Sequence, residues 1–288
     1  MTSTPWAERY FRSRDGLRLH YRDYAAPGSS LPPVLCLPGL TRNSRDFEVV
    51  APHIARERRV LCADLRGRGY SAHDPNWHNY QPATYVDDLL LLLADAGVER
   101  LVLLGTSLGG ILSMVITSLQ PQRVAGVVLN DIGPEIAEAG RERIARYVGR
   151  HPAVSNWDEA AQQVRATYAL SLSEFTDEQW HAHARRTFSK VDGVPRLDAD
   201  PMIGEAVRAA ASLPTPDLWP VFLALRPIPA LAIRGEHSDI LSVETFDRMA
   251  ALKPDLVRLT VANRGHTPLL EEPECLRALE EFLPRCPV

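Results

Sequence analysis

The run Leu101-Val-Leu-Leu-Gly105-Thr106-Ser107-Leu108-Gly109-Gly110-Ile111 is where the residue types and their spacing most clearly suit chemistry. A short apolar stretch enters Gly-x-Ser-x-Gly and leaves as an uncharged, helix-length segment. A strand-to-helix turn this sharp leaves no room for side chains two residues either side of the serine, hence Gly105 and Gly109. It lifts the Ser107 hydroxyl above the sheet and aims a helix N-terminus at whatever reacts there. Gly110 lets the helix pack closely. No lysine follows the glycines, which excludes a phosphate loop.

A serine nucleophile needs a base, and the base needs an orienting group. Ala232-Ile-Arg-Gly235-Glu-His-Ser-Asp239 places an aspartate in the turn just after a strand-like run. Leu259-Thr-Val-Ala-Asn-Arg-Gly265-His266 places a histidine in the loop after the last such run. The chemistry implied is acyl transfer, with Ser107 as nucleophile, His266 as base and then acid, and Asp239 as orienter. Asp131 ends the strand after the nucleophile helix and is the alternative orienter, its other reading being a turn residue where an insertion begins.

Other residues invite other readings. His237, two residues before Asp239, reads as exposed loop. His181-x-His183 suggests a metal pair, but i and i+2 on a helix face apart and no carboxylate or cysteine cluster joins them, so both read as a solvated face and no metal is expected. Arg66 and Arg68 could steer an anion, but read as a loop tied by salt bridges.

With these residues in place, the chain resembles the α/β-hydrolase-fold proteins. The order Ser107, Asp239, His266 matches that family. Leu37-Pro38-Gly39-Leu40 resembles its His-Gly-X oxyanion loop, and Asp64-Leu-Arg-Gly67-Arg-Gly69-Tyr-Ser71 its D-x-R-G-x-G-x-S turn. Gly265-His266 followed by Glu272-Pro273 resembles its histidine loop. The resemblance implies that the backbone N–H groups of Leu40 and Leu108 hold the oxyanion. Pro38 stands where the family usually has histidine; backbone donors do not need that imidazole, so the hole is expected to survive with altered loop packing.

The elements that must position these residues are legible as well. Tyr10–Ser13 and Leu17–Tyr24 flank Arg14-Asp15-Gly16, a hairpin signal. The apolar runs Val34–Leu37, Val60–Ala63, Leu101–Leu104, Val124–Leu129, Ala230–Ile233 and Val257–Val261 alternate with helix-length segments such as Pro82–Ala96 and Leu108–Leu119. Runs apolar on both faces alternating with helices mean βαβ units: an α/β fold with a doubly wound, mostly parallel sheet. The alternation stops from about Ile132 to Pro214. That stretch reads as helix-rich, with capping signals at Asn156-x-x-Glu159 and Thr176-x-x-Gln179. Its aromatics, Tyr147, Trp157, Tyr168, Phe175, Trp180 and Phe188, read as core rather than pocket lining. The expected division is a core of residues 1–131 and 215–288 with a helical cap, 132–214, over the sheet edge where ligands bind.

Composition fits this class. The chain has 288 residues, 45% hydrophobic and 24% charged, and a net charge of −4, which argues against nucleic acid as a partner. Leu101–Gln122 runs 22 residues without a charge, but its glycine turn excludes a membrane span. The N-terminal Met1–Tyr10 has no apolar run of the secretory kind. Four cysteines without C-x-x-C spacing suit a reduced, cytoplasmic protein. The expectation is a cofactor-independent serine hydrolase that cleaves an ester, thioester or enol-lactone of a small carbonyl compound through an acyl-enzyme. Alternatives are C–C hydrolysis of a ring-fission diketone, acyl transfer to an alcohol, and a small-molecule receptor on a hydrolase scaffold.

Overall fold

The computed structural model describes residues 4–288, so that of the N-terminal stretch read above, Met1, Thr2 and Ser3 lie outside the described residues. Its strands are β1 (Ala7–Arg12), β2 (Arg18–Tyr24), β3 (Val34–Leu37), β4 (Val60–Asp64), β5 (Leu101–Thr106), β6 (Val124–Asn130), β7 (Phe188–Val191), β8 (Val194–Leu197), β9 (Ala230–Gly235) and β10 (Val257–Val261). The helices are α1 (Val50–Ile54), α2 (Pro82–Asp95), α3 (Leu108–Leu119), α4 (Glu138–Tyr147), α5 (Trp157–Tyr168), α6 (Asp177–Thr187), α7 (Ile203–Ala211), α8 (Trp219–Leu223), α9 (Val243–Leu252) and α10 (Pro273–Phe282).

Eight strands form one sheet in the order β1-β2-β4-β3-β5-β6-β9-β10. The pairs from β4 through β10 are parallel, and β2 runs antiparallel to both β1 and β4. The period-two alternation of a strand assigns side chains to the two faces. Leu35, Leu37, Leu103, Val127 and Ala232 point to one face, against α2, α3, α8 and α9. Val34, Cys36, Val102, Leu104 and Ile233 point to the other, against α1 and α10. Burial on both sides is what the unbroken apolar runs demanded.

The Asp64–Ser71 turn is built around a buried carboxylate. Asp64 accepts hydrogen bonds from the Ser44 and Tyr70 amides at 2.6 and 2.9 Å, and one of its oxygens lies 2.7 Å from Nδ1 of the buried His20. Gly69 sits at φ +56, and a Cβ there would meet Asp64 Oδ2 at 2.2 Å. Of the two arginines in this turn, Arg66 pairs with Asp15, Asp74 and Asp88. Arg68 instead donates to the Leu40 and Arg66 carbonyls and to the Tyr85 hydroxyl. The salt-bridge reading therefore holds for Arg66 only.

Between β6 and β9 the chain leaves the sheet for α4 to α8 and the β7–β8 hairpin. The hairpin departs from the helix-rich pattern of this stretch. Its turn is Asp192-Gly193, both residues at positive φ, the pair that closes a two-residue hairpin. Both capping signals are realised: Thr176 and Gln179 form a reciprocal box at α6, and Asn156 accepts from the Glu159 amide at α5. The segment has a small apolar core of its own that includes Trp180 and Phe188. It is stitched to the Asp64–Ser71 turn by backbone bonds, Gly69 N–H to Asp198 O at 2.9 Å and Asp200 N–H to Gly67 O at 2.8 Å.

Candidate active site

Ser107 lies between β5 and α3 with φ +52, in the left-handed region that a non-glycine residue enters only when its surroundings compel it. Here the compulsion is steric. A Cβ on Gly105 would meet the Gly109 carbonyl oxygen at 2.2 Å, and one on Gly109 would meet the Leu37 carbonyl oxygen at 2.1 Å. Both obstacles are backbone and cannot swing away. Gly109→Ala is accordingly expected to cost about 3 kcal/mol of stability, seen as a lower urea midpoint at unchanged m-value.

Ser107 Oγ lies 2.9 Å from His266 Nε2, and His266 Nδ1 lies 2.7 Å from Asp131 Oδ2. A carboxylate can only accept, so Nδ1 carries the proton and Nε2 is left bare to accept from the serine hydroxyl. Asp131 is fully buried and stands at φ +55 where the chain turns off β6. Its Oδ1 accepts from the Gly235 amide at 2.8 Å, and its Oδ2 also accepts from the Ser238 hydroxyl at 2.7 Å.

This geometry corrects the expected orienter. Asp239 does not hydrogen-bond to His266; both its oxygens take the guanidinium of Arg143 on α4, from Nε at 2.5 Å and Nη2 at 2.9 Å. The loop after β9 spends its Gly235 amide and Ser238 hydroxyl on Asp131, and Asp239 turns outward to the inserted segment. Burial pushes the Asp239 carboxyl up, but the Arg143 guanidinium outweighs it and leaves the group below the usual carboxylate range.

The loop carrying His266 is held from two sides. Glu272 Oε1 accepts from Arg264 Nε at 2.9 Å and from the Leu269 amide at 3.1 Å. From the inserted segment, Ser171 donates its hydroxyl to His266 O and accepts the Gly265 amide on its carbonyl, each at 3.0 Å. Nothing local in the sequence marks Ser171, whose role depends on a contact 95 residues away. His237 is exposed and touches neither Ser107 nor Asp131 among its described contacts.

Two cavities meet at Ser107. A small one, about 60 Å³, has a mixed lining, with Arg42, Asp46, His183 and His266 set among Leu172 and Leu269. A larger one, about 280 Å³, lies over Leu108, Ile111, Ile136, Ile144, Val207 and Leu213 and is almost wholly apolar. Leu40 lines both. The Leu108 amide, first in α3, has no preceding helical turn to donate into, and the Leu40 amide has no backbone partner among the described residues. Two expectations about the insertion change here. Tyr147 and Tyr168 pack against the cores as expected, but they also line the small cavity. His183, read as solvated, is 5% exposed, because α6 turns this face onto the sheet edge, whereas His181 stays half-exposed.

Comparison with known proteins agrees with this architecture. The model of the alpha/beta hydrolase fold family matches residues 32–273. The chain is 31% identical over 278 residues to the 3-hydroxybutyrate-oligomer hydrolase of Cupriavidus necator, covering 92% of each chain. It is 26% identical to esterase YbfF of Escherichia coli, over 87% of this chain and 92% of that one. The crystal structure of an alpha/beta hydrolase from Novosphingobium aromaticivorans superposes with a TM-score of 0.93 at 43% identity, covering 98% of this chain and 99% of that one. The chain belongs to the alpha/beta hydrolase fold family and is an enzyme of the hydrolase class.

Proposed function

We propose that the protein is a serine hydrolase of short aliphatic carboxylic esters, acting through an acyl-enzyme on Ser107. The continuous relay Ser107–His266–Asp131 carries this reading. His266 Nε2 takes the hydroxyl proton as Ser107 Oγ attacks the ester carbonyl, and Asp131 stabilises the imidazolium that forms. The oxyanion develops against the Leu40 and Leu108 amides, each donor of this kind being worth about 3–4 kcal/mol where measured. His266 then protonates the departing alkoxide and afterwards activates the water that releases the acid.

The two cavities divide the substrate. His266 lines the small cavity and not the apolar one, and the leaving oxygen must lie on the side of the group that protonates it. The leaving alcohol therefore occupies the small cavity and the acyl chain the apolar cavity, with residues 132–214 acting as a cap that excludes bulk water. The C. necator relative is a 3-hydroxybutyrate-oligomer hydrolase, which supports ester cleavage as the reaction class. The four cysteines are free and buried, which suits a reducing, cytoplasmic setting. No helix of the described residues is long and apolar enough to cross a membrane.

Hydrolysis of p-nitrophenyl esters from acetate to octanoate tests the proposal. kcat/KM is expected to rise about fourfold per methylene while the chain still enters the apolar cavity, as roughly 0.8 kcal/mol per buried methylene implies. A fluorophosphonate should label Ser107 stoichiometrically, as read by peptide mass spectrometry. Absence of turnover on every ester, or labelling elsewhere, would sink the assignment.

A further inference from the structure

His183 is a buried histidine without a job in the relay. It sits on α6, 5% exposed, and both ring nitrogens lack a hydrogen-bond partner among the described residues. An unpartnered buried polar group is costly to a fold, so a residue kept in that state is a candidate for pairing with something that enters from outside. Its neighbours are aromatic edges, with the Tyr168 ring 5.3 Å and the Phe175 ring 6.4 Å away between centroids. His183 also lines the small cavity that reaches Ser107 and His266.

The charges facing it are already matched. Arg42 gives Nε and Nη2 to the two oxygens of Asp46 and Nη1 to Thr187 Oγ1, and Arg186 pairs with Glu48 and Glu271. Burial first, then the Arg42 and Arg186 guanidinium groups, push the His183 imidazole down to about 3, against an opposing pull from Asp46. The ring is therefore neutral, with one N–H donor and one bare acceptor. An incoming carboxylate would add an uncompensated charge beside Asp46. A hydroxyl both donates and accepts, and so satisfies the ring whichever tautomer is present.

We propose that His183 is a specificity-determining residue that hydrogen-bonds a second, uncharged oxygen on the leaving alcohol of the ester. The proposal rests on the serine-hydrolase reading above, because that reading puts the leaving alcohol in the small cavity. The substrate class it selects is esters of diols and hydroxylated alcohols, over alkyl esters of the same size.

The probes are 2-hydroxyethyl butyrate and propyl butyrate, which have the same number of heavy atoms and differ only in the terminal oxygen. Wild-type kcat/KM should favour the hydroxyethyl ester by about tenfold, the size of one well-made hydrogen bond. In His183→Phe, a substitution that suits the aromatic surroundings, that ratio should fall to about one. A ratio near one in the wild type, the result expected if an ordered water serves His183 instead, overturns the proposal, as does a ratio unchanged in the variant. A second measurement depends neither on turnover nor on the folding of His183→Phe. In Ser107→Ala, the ¹⁵N resonances of the His183 ring should move on titration with 2-hydroxyethyl butyrate and stay put with propyl butyrate. Equal responses, or none, refute the subsite. Loss of all ester turnover in the wild type with the selective ¹⁵N response intact would refute the hydrolase reading and leave the subsite standing.

Discussion

Ser107→Ala is expected to lower kcat for ester hydrolysis by about 10⁵- to 10⁶-fold, the loss typical when the nucleophile of such a relay is removed. The substitution deletes one oxygen and keeps the Cβ, so the steric demands that hold residue 107 at φ +52 are unchanged. The Ser107 amide still donates to the Asn130 carbonyl at 3.0 Å, which ties the turn to the end of β6. The melting temperature should therefore stay within a few degrees of wild type, and stopped-flow assays should show no acyl-enzyme burst. Residual activity above about one part in 10⁴, after exclusion of wild-type contamination by mass spectrometry, would mean that another group attacks the ester.

Asp131→Asn should cost about 10⁴-fold in kcat with the fold preserved, and it separates the two aspartates. The asparagine carbonyl can still accept the Gly235 amide that Asp131 Oδ1 accepts at 2.8 Å, and so its NH₂ group must face His266. An NH₂ donor opposite Nδ1 drives the imidazole proton to Nε2, and a protonated Nε2 can no longer take the proton of Ser107. Tautomer reversal, rather than loss of a contact, is the expected cause, and ¹⁵N spectra of the His266 ring would report it directly. Asp239→Asn should cost less than tenfold. It weakens an ion pair whose partners, Arg143 and Asp239, keep a quarter and about a third of their side-chain surface in water, a setting in which such pairs contribute at most about 1 kcal/mol. If Asp239→Asn proved the costly change and Asp131→Asn the mild one, the relay drawn from the geometry would be wrong.

Much of the scaffold and part of the site can be read from short-range sequence alone. Period-two burial explains why Val34–Leu37 or Leu101–Leu104 reads as a strand covered on both faces, and the glycines around Ser107 announce a turn that only they can enter. His266 is legible because it follows a strand in a glycine loop. The Asp192-Gly193 turn is equally local in its signal, but the helix signals of the surrounding segment outweigh it.

What the sequence by itself determined, then, is the α/β class with its mostly parallel sheet, the glycine turn that carries Ser107 and the loop that carries His266. These follow from steric rules and apolar periodicity, which act within a few residues. Only the tertiary structure decided which acid faces His266. Asp131 and Asp239 both follow the C-terminal ends of strands, and β6 and β9 are neighbours in the sheet. The choice between them was made by an amide, a hydroxyl and a guanidinium lying 104, 107 and 96 residues away in the chain. Likewise His183 reads as a solvated helix face until α6 is laid against the sheet edge. Burial and hydrogen bonding are properties of what surrounds a side chain, and for these residues the surroundings come from distant parts of the chain.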